Sequence, residues 1–491
     1  MIDLRNVGFL VGVTLLFVAV MMLLPLCVSL CYGDGDTAAI GWSAVTTALI
    51  ATILLLFRKK EADIGFRDGF AVVTFGWTAM ALLGALPFYW SGAIPSFTDA
   101  FFESMSGFTT TGSSILGSQI PIESMPHGIL FWRSLTHWIG GMGIILLSLA
   151  ILPLLGIGGM QLFRAEVPGP TKDKLTPRIK DTAKILWMVY LLLSVVEMLL
   201  LWLGEMDLFE AACHTFGTMA TCGFSTRDAS IAAFNSRYIQ YVIIFFMFMA
   251  GVNFSLHYRL MRGKTDQYWS SVEFRAYLSI IMIFTTAMII IHLTGSVDRA
   301  PLEKVFRDSL FQVVSILTTT GYGSADWEAW GGFAQTLFVL LMFIGGMAGS
   351  TGGGTKVIRI QVMISTIRTE LTRLIHPQAV LPVRIGSRIK KRVKIDDSVV
   401  RNILIFLMAF ALILALSTVL LALMGLVLVT AFGAAIASLS NIGPGLGDVG
   451  ATDNYSAMPV AVKWLLAFLM MLGRLEVFTV LVLFSRSFWR R

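Results

Sequence analysis

Thr319-Thr320-Gly321-Tyr322-Gly323 closes a short apolar stretch near 303–319, and a much longer apolar run begins at 333. Three other short stretches close in related turns. Near 98–111 the turn is Thr110-Thr111-Gly112-Ser113-Ser114; near 207–221 it is Thr221-Cys222-Gly223-Phe224-Ser225; near 430–441 it is Asn441-Ile442-Gly443-Pro444-Gly445. The central glycines recur about every 100–120 residues, always in the order long run, short run, turn, long run. Repetition at a fixed period marks a repeated structural unit. Crossing a hydrocarbon core of about 30 Å takes about 20 residues, so short stretches of roughly 10–17 residues predict re-entrant half-helices.

Composition names the solvent. The 491 residues are 56% hydrophobic and 14% charged, against about 25% charged in a soluble domain. Long apolar runs fall at roughly 6–32, 38–57, 69–91, 127–152, 181–203, 238–261, 274–295, 333–374 (interrupted), 399–429 and 459–485, which predicts about ten crossings. Cys27, Cys31, Cys213 and Cys222 form no CxxC or zinc pattern, so no disulfide framework or metal site is expected. The first apolar run lacks a small-residue cleavage site and is expected to be retained as a helix.

The net charge of +7 reads as topology and not as nucleic-acid binding. Basic residues concentrate in alternate loops: Arg58, Lys59, Lys60 and Arg67; Arg164, Lys172, Lys174, Arg178 and Lys180; Arg259, Arg262, Lys264 and Arg275; and Lys356, Arg359, Arg368, Arg373, Arg384, Arg388, Lys390, Lys391, Arg392 and Lys394. The other loops carry Asp34, Asp36, Asp99, Glu205, Asp207, Asp326, Asp448 and Asp453. By the positive-inside rule the basic loops and both termini are cytoplasmic, which puts every short stretch on the outer side.

Turn chemistry gives these residues a purpose. A cation leaving water needs oxygens to replace its hydration shell, and an extended backbone supplies carbonyls when its dihedrals alternate in sense. Glycine takes positive φ cheaply, and a preceding threonine or asparagine adds side-chain oxygen. The third turn is one substitution from the Thr-Val-Gly-Tyr-Gly loop of potassium channels. The candidate ion-binding residues are Thr110, Thr111, Gly112, Thr221, Cys222, Gly223, Thr319, Thr320, Gly321, Tyr322, Asn441, Ile442 and Gly443.

On these turns the sequence resembles the Trk/Ktr/HKT potassium transporter superfamily, from about residue 69 to the end. The N-terminal pair, 6–57, is similar to the additional helices of the TrkH/TrkG branch. The resemblance implies an all-α polytopic membrane protein. Four pseudo-symmetric helix–pore loop–helix units would surround one central pore, beside two extra N-terminal helices. The expected divisions are 1–62 for that pair, then units at 63–160, 161–268, 269–395 and 396–491. Gly112, Gly223, Gly321 and Gly443 correspond to the family's filter glycines; Gly112, where some plant relatives carry serine and prefer sodium, favours potassium.

Two further features concern gating. Gly345-Gly346-Met347-Ala348-Gly349-Ser350-Thr351-Gly352-Gly353-Gly354-Thr355-Lys356 interrupts a long apolar run. Glycine costs about 1 kcal/mol relative to alanine inside a helix, and unwound backbone at membrane depth must be buried in protein or line a wet cavity. Gly346, Gly349, Gly352, Gly353, Gly354 and Lys356 are therefore candidate gate residues, with tight helix packing as the alternative. The order Gly-Thr-Lys, with no preceding strand, is not a phosphate-binding loop. Arg474 lies within the last span, Trp464 to Phe484, where burial costs about 2.5–3.5 kcal/mol unless it faces the bundle interior or water. It is read as an electrostatic barrier, as the family's pore arginine is, or as half of a structural ion pair. Asp99, Glu103, Asp207, Glu210, Glu303 and Asp308 flank the short stretches and are read chiefly as helix caps.

The expected function is potassium uptake across a bacterial cell inner membrane through a gated, channel-like pore, with potassium as substrate and no organic cofactor. The alternative is a proton- or sodium-coupled potassium symporter, for which Glu197, Glu476 and Asp308 are the titratable candidates. A membrane-embedded enzyme finds no support in the six histidines, which show no catalytic spacing. The resemblance further implies a homodimer in membrane lipid and a cytosolic TrkA-type nucleotide-binding regulatory ring.

Overall fold

The structure, a computed structural model, describes residues 3–57, 65–117, 119–150, 179–294, 300–386 and 393–490. The boundaries expected at 62 and 160 fall outside these residues. So do the basic residues Arg58, Lys59, Lys60, Arg164, Lys172, Lys174, Arg178, Arg388, Lys390, Lys391 and Arg392.

The chain is a polytopic helical membrane protein. Among the described residues, six helices are long and apolar enough to cross a membrane, including Leu4–Tyr32, Thr37–Leu55 and Asp397–Leu423. Two more apolar pairs bend sharply, by 102° between Arg237–Ala250 and Phe254–Met261 and by 110° between Val460–Arg474 and Phe478–Phe484. With the helix His127–Ala150 and the interrupted pair Gly332–Met342 and Val357–Ile375, each expected crossing has a helical counterpart. The four short helices are Phe97–Phe108, Leu208–Ala220, Leu302–Leu317 and Leu428–Ser440. Two crossings separate each from the next, so all four approach from one side.

The runs 238–261 and 459–485, each predicting one crossing, are not single straight helices: both break. After Ala250 the freed carbonyls find new donors: Thr351 Oγ1 reaches Ala250 O at 3.2 Å, and Met347 N reaches Gly251 O at 2.9 Å. After Arg474 the chain passes through Glu476 and Val477, both at φ 57°. At that level Gly473 lies against the Leu439 carbonyl so closely that a Cβ would collide with it. The helix reaches the short-helix backbone only by carrying glycine there, and it ends one residue later. Freed backbone at membrane depth is tolerable because neighbouring protein groups satisfy it.

The N-terminal pair is tied to the first unit. Asp34 accepts from His127 N at 2.7 Å, and Asp36 accepts from Ile129 N at 3.1 Å. Two carboxylates therefore sit at the start of helix His127–Ala150, where its first amides lack helical partners and its dipole favours negative charge.

Candidate cation pathway

Each short helix ends in the same way. The residue two before the turn glycine is left-handed in all four units: Thr110 (φ 50°), Thr221 (55°), Thr319 (62°) and Asn441 (54°). Its amide donates three residues back, at 3.0 Å in the first three units and 3.3 Å in the fourth. The next amide donates five residues back: Thr111 to Ser106 O, Cys222 to Gly217 O, Thr320 to Ser315 O and Ile442 to Ala437 O, at 2.8–2.9 Å. This paired closure usually carries glycine at its left-handed position. A branched residue there costs about 1–2 kcal/mol, and such strain gathers at functional sites.

The closure turns the chain sharply and sends the four turns toward one another. Their glycines form a closed ring of close approaches. A Cβ on Gly112 would lie 2.9 Å from Gly223 N, and one on Gly223 would lie 2.6 Å from Gly321 C. One on Gly321 would collide with Ile442 O, and one on Gly443 would lie 2.9 Å from Thr111 O. Gly112, Gly321 and Gly443 also have positive φ, at 82°, 81° and 101°. Glycine is required twice over at these three positions, by dihedral and by space.

Side chains knit the ring from behind. Thr109 and Thr111 share a hydroxyl contact of 2.8 Å, and Thr318 and Thr320 repeat it. Asn441 Nδ2 donates to Thr111 Oγ1 and to Met470 O, both at 2.9 Å. Cys222 Sγ lies 3.1 Å from His137 Nε2. Tyr322 is buried, and its hydroxyl donates to His214 O at 3.1 Å and Phe224 O at 3.3 Å, bracing the second unit from the third.

Among the hydrogen bonds of the described residues, none takes the carbonyl of Thr111, Gly112, Thr320, Gly321 or Ile442. Gly443 differs: its carbonyl accepts from Tyr455 Oη at 2.9 Å and Ser113 Oγ at 3.2 Å. The four short helices also aim their C-terminal ends at this ring, each bringing roughly half a negative charge.

The glycine-rich interruption, 343–356, lies against the base of the ring. Gly353 N donates to Thr319 Oγ1 at 2.6 Å, and a Cβ on Gly352 would lie 3.0 Å from Thr318 O. The loop is closed on itself by Gly345 N to Thr355 O at 2.7 Å and Val357 N to Gly346 O at 3.2 Å. Lys356 Nζ donates to Gly352 O and, at 3.4 Å, to Gly353 O. Gly349, at φ 78°, gives its carbonyl to Phe254 N at 3.0 Å, and Gly354 is also left-handed, at φ 61°. Glu273 accepts from Ala348 N at 2.8 Å and Ile358 N at 3.2 Å.

Arg474 is 2% exposed and makes no ion pair among the described residues. Its guanidinium donates to Thr351 O at 2.8 Å and Gly140 O at 3.1 Å, joining the loop of unit 3 to the second helix of unit 1. Glu476 pairs with Arg359 instead. Glu197 is fully buried in helix Ile179–Trp202.

The flanking acids divide. Asp207 caps its helix by accepting from Glu210 N at 2.6 Å, as expected. Asp99 pairs with Lys463 at 2.5 Å, Glu210 with Arg227 at 2.5 Å and Glu303 with Arg307 at 2.7 Å. Glu103 is no cap: it is fully buried and bound to Arg133 at 2.7 Å. Sequence reading also missed the glycines Gly140, Gly251 and Gly473, at which the second helices of three units come against a short helix or, for Gly251, against Thr318 at the end of one. Their signal was a second glycine roughly 28–30 residues after each turn glycine in these units.

The family model described as "TrkH: Cation transport protein" matches residues 39–491. The Trk system potassium uptake protein TrkH of Escherichia coli K12 is 41% identical, over 99% of this chain and 99% of its own. The corresponding TrkG of the same strain is 34% identical over 88% of this chain and 87% of its own. A crystal structure of the potassium transporter TrkH from Vibrio parahaemolyticus superposes with a TM-score of 0.90 at 36% identity, covering the whole of both chains. By full-length sequence and by fold, this chain belongs to the TrkH family of cation transport proteins.

Proposed function

We propose that the ring of four turns is a potassium-selective filter and that the chain conducts potassium inward across a bacterial inner membrane. The observation that carries this reading is the set of carbonyls at Thr111, Gly112, Thr320, Gly321 and Ile442 with no donor among the described residues, gathered at the C-termini of the first, third and fourth short helices. Buried carbonyls normally find partners. Here a partly dehydrated cation is the partner that fits, its lost water replaced by peptide oxygens. The uptake named for the relatives agrees.

Below the filter, Lys356 and Arg474 hold the glycine-rich loop across the path, and Arg474 adds a fixed positive charge that opposes a cation. Opening is the release of that loop. With the basic loops and both termini cytoplasmic, influx is favoured by about 2.3 kcal/mol per 100 mV of inside-negative potential. No ATP site or enzymatic step is needed. A homodimer in lipid with a TrkA-type cytosolic nucleotide-binding ring acting on the loop is the assembly we infer, with no role for nucleic acid.

The test is potassium-limited growth of an uptake-deficient strain carrying wild type, Gly321→Ser or Arg474→Ala. Wild type restores growth and Gly321→Ser does not. Full rescue by Gly321→Ser overturns the filter. Reversal potentials in liposomes decide between channel and symporter: a channel follows the potassium gradient alone, and a symporter shifts with pH or sodium.

A further inference from the structure

One position of the repeat carries a different side chain in each unit. Nine residues before the turn glycine stand Glu103, His214, Gln312 and Ala434. The first three are buried, at 0%, 0% and 1% exposure. Each reaches forward to the segment that leaves its own turn. Glu103 accepts from Ser114 Oγ at 2.9 Å and Ile115 N at 3.0 Å. His214 Nε2 lies 3.0 Å from Ser225 Oγ, while its Nδ1 lies 2.8 Å from Glu210 O. Gln312 Nε2 donates to Ala325 O at 3.1 Å and Ser324 Oγ at 3.4 Å. Ala434 has nothing to extend, and in that unit Tyr455 holds the Gly443 carbonyl instead.

In the first unit the contact is ionic and spans two turns. Arg133, 2% exposed, donates from Nε to Glu103 at 2.7 Å and from one terminal nitrogen to Ser114 Oγ at 3.0 Å. Its other terminal nitrogen donates to Ser225 O at 2.9 Å, and the guanidinium carbon lies 3.6 Å from the centre of the Phe224 ring. One arginine therefore fixes the exits of turns 1 and 2 against each other, two residues beyond their glycines.

We propose that Glu103 with Arg133, His214 and Gln312 are positioning residues for cation selection: struts that set how far the turns can close around an ion. The inference rests on the filter reading. Carbonyls select a larger cation over a smaller one only while their spacing or their number about the ion is held. The turns are thin, strained backbone, and each strut props its turn against its own short helix. Without struts the turns close further, and sodium finds the coordination it otherwise lacks. Removing one strut bond is expected to lower the potassium-over-sodium permeability ratio about threefold to tenfold, the equivalent of one net hydrogen bond.

The experiment uses the full chain in liposomes and reads two quantities per variant: the bi-ionic reversal potential for potassium against sodium, and total potassium flux. The variants are Glu103→Gln, His214→Ala, His214→Gln, Gln312→Ala and Gly321→Ser. The expected result is a lowered ratio in Glu103→Gln, His214→Ala and Gln312→Ala, with flux retained, and a ratio restored toward wild type in His214→Gln, whose amide still reaches Ser225. If Glu103→Gln does not insert, the two His214 variants decide alone. Flux that falls in every strut variant while the ratio stays at the wild-type value overturns the proposal, since support of the fold alone gives that pattern. Gly321→Ser separates the two claims. If it also leaves flux and ratio unchanged, the filter reading itself fails; if it alone destroys selection, only the struts are wrong.

Discussion

The ring of turns and the loop beneath it are both glycine-rich, irregular and buried at membrane depth, yet they treat their carbonyls in opposite ways. In the turns, the oxygens of Thr111, Gly112, Thr320, Gly321 and Ile442 meet no donor among the described residues. In the loop, carbonyl after carbonyl is taken: Gly346 by Val357 N, Gly349 by Phe254 N, Thr351 by Arg474, Gly352 and Gly353 by Lys356. Glycine content alone does not tell a segment with free carbonyls from one whose carbonyls are taken. The distinction lies in which donors reach the backbone, and in the loop two of those donors are cationic side chains. If the loop blocks the path as we propose, its charged hydrogen bonds set the cost of release at about 1.5–3 kcal/mol for each such bond.

The contrast can be broken most severely in the ring. Gly321→Ser puts a side chain against the Ile442 carbonyl at a left-handed position; strain of about 1–3 kcal/mol predicts a tenfold to hundredfold fall in rubidium uptake into liposomes. The loop gives the next largest effect, with opposite sign. Arg474→Ala removes the donors to Thr351 and Gly140 together with the buried charge, and basal uptake without any cytosolic partner is expected to rise about tenfold or more. Lys356→Ala frees two loop carbonyls and is expected to raise basal uptake about tenfold, the lower end for one charged hydrogen bond. A fall in uptake in both variants of a well-folded protein would mean that the loop does not block.

Smaller changes sharpen the contrast. Tyr455→Phe releases one donor from Gly443 O and moves the fourth turn toward the other three; the half-saturating potassium concentration is expected to shift by about twofold to fivefold, within one net hydrogen bond. Ser350→Ala removes only a local bond to Met347 O inside the loop, and uptake is expected to stay within about twofold of wild type, as for a mutation with no new unpaired partner.

Legibility in the sequence followed the range of the interactions. The turns were readable because left-handed backbone and close approach restrict residue choice locally, and four copies at one period repeat the restriction. The glycine-rich interruption was readable for the same reason. The breaks after Ala250 and Arg474 were not. A single glycine in an apolar run is an ordinary helix residue until a neighbouring backbone, here Leu439 O beside Gly473, decides otherwise. Glu103 was read as a cap because acids near helix starts usually are. Its partner Arg133 sits on another helix, and no local pattern links the two. The direction of the Tyr322 side chain, whose hydroxyl reaches back to His214 and Phe224, was not readable either, because side-chain direction in a turn is set by the dihedrals, which the letters do not give.

One asymmetry bears on how the proposed gate would open. The second helices of units 2, 3 and 4 are all interrupted, but that of unit 1 is continuous from His127 to Ala150, the last residue described there, and is held at its start by Asp34 and Asp36. In the pore we propose, an aperture with one stiff side and three jointed ones would swing like a door against a jamb, and the Arg474–Gly140 contact would be where the latch meets the frame.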